Sequence, residues 1–105
     1  MANVVKPFDK YRVQYGTVNG EGREITRIDF FHQGTKVGRL LSGNAIAPGS
    51  YVSFKNGVID LYFRFSLLAN ALAILEHESD LALYFVPDDE NPQQEQGREG
   101  GICHR

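Results

Sequence analysis

The sequence predicts an α+β domain: a curled, mainly antiparallel sheet of about six strands packed on a single helix. Three observations predict it. Apolar and polar residues alternate through Val58 to Phe65, a run of helix formers follows with no linker, and alternation returns from Leu81 to Val86.

In the first of these stretches Ile59, Leu61, Phe63 and Phe65 share one face, and Val58, Asp60, Tyr62 and Arg64 the other. That is the two-residue period of a half-buried strand. Ser66 then offers a hydroxyl to the free amides of a helix start, and Leu67 to His77 contains neither Gly nor Pro. Leu67, Leu68, Ala71, Leu72, Ile74 and Leu75 are expected to face inward over an arc of roughly 160°. Leu81, Leu83 and Phe85 alternate with Ala82, Tyr84 and Val86 until Pro87 stops the strand.

Upstream, Tyr11, Val13 and Tyr15 alternate with Arg12, Gln14 and Gly16 in a first strand within Phe8 to Val18. Asn19-Gly20-Glu21-Gly22 suits a reversal into a second strand, Arg23 to His32, whose two faces both carry large apolar groups. Gln33-Gly34-Thr35 turns the chain into a shorter third strand, Lys36 to Leu41. Ser42 to Ser50 reads as the longest loop, Tyr51 to Phe54 as a fourth strand, and Asn56-Gly57 as a type I′ hairpin turn leading into Val58. The expected order is a five-strand meander, the helix, then a sixth strand.

With 105 residues and 42% hydrophobic content, one domain with a modest core is expected. Residues 1 to 86 carry nine Lys or Arg against eight Asp or Glu, whereas residues 87 to 105 carry two against five. The first segment is assigned to the domain. The second, with one aliphatic residue, is expected to be a flexible acidic tail, because it buries too little apolar surface to offset its ordering entropy. The near-neutral body argues against a dedicated nucleic-acid binder. A single cysteine, Cys103, excludes an internal disulfide and a cysteine-based zinc site. With no signal-like apolar run at the N-terminus, a soluble cytoplasmic protein is expected.

No spacing of residues specifies catalysis. His32, His77 and His104 lack the i, i+4 or HxH spacing that points two imidazoles at one ion, so neither metal nor cofactor is expected. Asp29 and His32 fall on opposite faces of one strand, which spoils an acid-base pair. Three groups of candidates follow. Arg27, Asp29, Phe31, Tyr62 and Arg64 lie on strand faces turned away from the helix and suit an interface, since Arg and aromatic residues are enriched where partners dock. Tyr11, Tyr15, His32 and Tyr84 could supply polar groups to a pocket between sheet and helix. Ser42, Gly43, Asn44, Pro48 and Gly49 could form a small anion nest or ligand lid.

The leading expectation is a non-enzymatic binding protein acting as a homo-oligomer, preferably a dimer. A small-ligand carrier or enzyme using the pocket is the first alternative, and single-stranded nucleic-acid binding through Arg27, Tyr62 and Arg64 the second.

Overall fold

The alternating segments form strands, but they divide between two sheets. A computed structural model describes residues 3–18, 23–43, 51–63, 65–88, 90 and 95–105. In chain order the elements are β1 (Val4–Pro7), β2 (Lys10–Val18), β3 (Arg23–His32), β4 (Thr35–Gly43), β5 (Tyr51–Lys55), β6 (Val58–Phe63), α1 (Phe65–His77), β7 (Leu81–Pro87) and β8 (Gly97–His104). One sheet has five strands in the order β2-β3-β4-β6-β5, and the other has three in the order β1-β7-β8.

The expected meander is corrected at β5. The strands β4 and β6 pair in parallel, Gly38 opposite Ile59 and Leu40 opposite Leu61, and β5 is displaced to the outer side of β6. Apolar alternation assigns a strand to a face but says nothing of its neighbour, so both orders satisfy the same pattern. The local turns agree better. Gln33 and Gly34 have φ of 51° and 83°, and Asn56 and Gly57 have φ of 53° and 80°, the left-handed pairs that tight hairpins require. The predicted turn at residues 19–22 lies outside the described residues.

The strand after the helix does not rejoin the strand before it. It forms the centre of the second sheet, flanked by β1 and β8, both antiparallel to it. Neither neighbour is expected from sequence. Residues 97–104 are a strand rather than part of a flexible tail, and their glycines explain the misreading. A Cβ on Gly97 would run into the Phe85 ring, and one on Gly100 into the Val52 side chain. These glycines permit close packing in a segment whose composition resembles a linker.

The two sheets face each other across a shared core. Leu83 and Phe85 from β7 meet Ile28, Phe30, Leu40, Ile59 and Leu61 of the larger sheet, all fully buried. Phe85 and Phe54 lie with ring centroids 5.6 Å apart, Phe8 and Phe30 4.8 Å apart. At one side the chain itself carries β1 into β2 through Phe8, whose amide bonds to Leu81, and Asp9, whose amide bonds to Phe31. At the other, a bridge joins Ser53 of β5 to Gln96, and the Phe54 amide donates to the Glu95 carbonyl at 2.8 Å.

The helix begins at Phe65, so Ser66 lies within its first turn. Its buried stripe is narrower than expected. Leu68, Ala71 and Leu75 are buried, at the i, i+3, i+7 spacing of one helix face, whereas Leu72 and Ile74 are half-buried and Leu67 is exposed. The second sheet supplies apolar surface that a helix alone would otherwise have to provide. Among the described residues, no helix is long and apolar enough to cross a membrane.

Candidate functional site

The face of the five-stranded sheet turned away from the core is built by register. Arg12 pairs with Asp29, Asp29 with Arg39, and Arg39 with Asp60, so charges of alternating sign run across β2, β3, β4 and β6. Beside this row lie Gln14, Arg27, Leu41 and Tyr62, and on its other side Lys10, Phe31 and Lys36. A bulge between Phe30 and Phe31 is what brings Lys36 onto this face. Phe30 is opposite Gly38 but Phe31 is opposite Lys36, so Val37 is skipped and joins the buried core.

Asp29 is the anchor of the face. It is only 1% exposed, yet Lys36 Nζ lies 2.9 Å from Oδ1, and Arg27 Nε and Arg12 Nη2 lie 3.3 and 3.5 Å from Oδ2. Burial by itself would push its carboxyl up, but hydrogen bonds and charge from Lys36 and Arg27 outweigh burial and hold it below its ordinary value of 3.8. The cations reach outward around it. The Arg12 side chain is 62% exposed and stacks over the Phe31 ring with its guanidinium carbon 5.7 Å from the centroid. Arg39 Nε lies 3.3 Å from Asp60 Oδ1, and its Nη2 donates to the Tyr62 hydroxyl at 3.3 Å. Asp29 Oδ2 and Arg39 Nε sit in these ion pairs without hydrogen-bond geometry.

This arrangement makes a pH prediction. A carboxyl whose folded pKa is depressed stabilises the fold fully above its unfolded value, and that contribution is lost as pH falls through the folded value. Asp29→Asn should therefore lower stability at neutral pH by about 1 to 3 kcal/mol, toward the low end because the cations reach water. Denaturant melts of both proteins should converge once the pH drops well below 3.8. A gap that stays constant through that range would contradict the assignment.

Of the predicted interface residues, Arg27, Asp29, Phe31 and Tyr62 lie on this one face, and Arg64 lies outside the described residues. Arg12, Lys36, Arg39 and Asp60 complete it and were missed. The alternation of each strand already placed Arg12 opposite Tyr11 in facing, but joining it to Asp29 needs the register between strands.

The predicted pocket residues are not gathered around one cavity. Tyr11 donates its hydroxyl to the Leu75 carbonyl at 3.3 Å, and Tyr15 is 70% exposed. His32 lies with Nδ1 3.8 Å from Asp9 Oδ2 at the β3–β4 turn. Tyr84 is in the other sheet, where burial and then the hydrogen-bonded Glu99 carboxylate push its phenol up. An open groove of about 400 Å3 does lie between Tyr11, Leu75, Asp80 and Arg105, and a second of about 380 Å3 between Val52, Leu67 and β8. Of the four predicted residues, only Tyr11 lines either groove.

Ser42 and Gly43 are the last residues of β4 and not part of a loop. Ser42 is fully buried, and Gly43 is half-buried, where a Cβ would strike the Glu24 carbonyl. Asn44, Pro48 and Gly49 lie outside the described residues. Among the described residues, no three His, Cys, Asp or Glu side chains are placed to hold a metal ion, and burial pushes the Cys103 thiol up, away from the reactive thiolate.

No protein-family model, curated protein or solved structure matches the chain.

Proposed function

We propose that the protein is a small non-enzymatic binding module, and that the outer face of its five-stranded sheet recognises an acidic segment of a protein partner. The observation that supports this most is the charge of that face. Lys10, Arg12, Arg27, Lys36 and Arg39 surround two carboxylates, Asp29 and Asp60, and the guanidinium groups are held in place by ion pairs and by the Phe31 ring. Prearranged cations bind carboxylates with less loss of side-chain entropy than free ones.

The same charge argues against self-association face to face, since two copies would bring like charges together. It also favours a short acidic segment over a nucleic acid. The chain as a whole carries −2, so the long-range field that gathers a phosphate backbone is lacking, while the local patch remains.

A fluorescent glutamate-rich peptide titrated with the protein tests this reading. Binding should weaken steeply as salt rises from about 0.1 M to about 1 M, where the screening length falls from about 10 Å to about 3 Å. Arg12→Glu combined with Arg27→Glu should weaken it by about tenfold or more. Tighter binding of a single-stranded oligonucleotide under the same conditions would replace the acidic-protein reading with the nucleic-acid one. Absence of binding to either would remove the proposal.

A further inference from the structure

We infer that the free edge of β2 pairs antiparallel with β2 of a second copy, centred on Val13, to form a homodimer. This inference concerns the edge of the sheet beside the face described above and does not rest on the reading of that face. Among the described residues β2 bonds only to β3, which leaves a nine-residue edge, and such an edge is a template for another strand. Its apolar face is unusually open. Among the described residues, four large hydrophobic side chains are exposed, and of these Tyr11 and Tyr15 lie on β2 and Val5 on the adjoining β1.

The sequence of β2 is complementary to itself when reversed. With Val13 opposite its own copy, Tyr11 faces Tyr15, Arg12 faces Gln14 and Lys10 faces Gly16. The cations occupy the first half of the strand and the neutral polar residues the second, so antiparallel pairing places each cation beside an uncharged residue. A parallel pairing in register would stack Lys10 on Lys10 and Arg12 on Arg12. Aromatic pairs opposite one another add to the hydrogen bonds of the ladder. The two Arg12 side chains would be diagonal neighbours, but each is drawn toward Asp29 of its own β3. The two-fold axis stands perpendicular to the sheet, so both outer faces end on the same side of a continuous ten-stranded sheet.

The edge contact is small for a stable interface, so dimerisation should be visible at tens of micromolar and not far below. Sedimentation of the full chain up to about 500 μM should show a monomer–dimer equilibrium. Tyr15→Lys should weaken it at least tenfold without changing the circular dichroism spectrum, because Tyr15 is 70% exposed. Register is read by oxidation in a Cys103→Ser background. Val13→Cys should form an intermolecular disulfide, whereas Lys10→Cys should not, since its two copies would lie about 20 Å apart at about 3.3 Å per residue. A monomer at the highest concentration would overturn the inference. So would a dimer indifferent to Tyr15→Lys, or equal cross-linking by the two cysteine variants.

Discussion

Leu83→Asp is expected to leave the chain unfolded. Leu83 is fully buried at the centre of the three-stranded sheet, and its side chain occupies the space that a Cβ on Gly38 would take in the opposing sheet. A carboxylate there lies out of reach of the cations around Asp29, which are on the far side of the larger sheet. Burying an unpaired charge or forcing it to protonate costs more than about 5 kcal/mol, which is of the order of a whole domain's stability. A far-UV circular dichroism melt should show no cooperative transition. A native-like melt would mean that β7 does not lie between β1 and β8 against the larger sheet.

Phe85→Ala is the second large effect, at about 3 to 5 kcal/mol. Phe85 fills the space between the Phe54 ring and Gly97, where a Cβ would collide with it, so three elements lose a shared contact when it is truncated. Urea unfolding at constant m-value should report the loss directly. A change under about 1 kcal/mol would place Phe85 outside the core.

These two positions also show what the sequence made legible. Alternation in Leu81 to Val86 assigned Leu83 and Phe85 to one buried face, and that facing is what the structure has. What they pack against was not legible. Val4–Pro7, four residues with Lys6 among them, is too short to separate a strand from an extended terminus, and β8 hides behind glycines that serve close packing. The helix was found at nearly its true length, but its buried stripe was overdrawn because Leu67 and Leu72 are apolar without being fully enclosed.

The candidate face was half legible for a related reason. Period-two facing put Arg27, Asp29 and Phe31 together on one strand and Tyr62 on the same side of another. Lys36 entered only with the bulge at Phe30, and the link from Arg39 to Asp60 and Tyr62 only with the parallel pairing of β4 and β6, neither of which leaves a mark in the order of residues. The pocket expectation joined Tyr11, Tyr15, His32 and Tyr84 because all were polar groups on apolar strands. With Tyr84 in the second sheet, that shared property does not bring them together.

Chemical-shift mapping is the most direct measurement of where a partner docks. The amide spectrum of isotope-labelled protein would be titrated with a glutamate-rich peptide. Shifts concentrated on Arg12, Arg27, Asp29, Phe31, Lys36 and Arg39 are the expected result. Shifts confined to the groove at Tyr11, Leu75 and Asp80, with the outer face unmoved, would contradict the assignment of that face as the recognition surface.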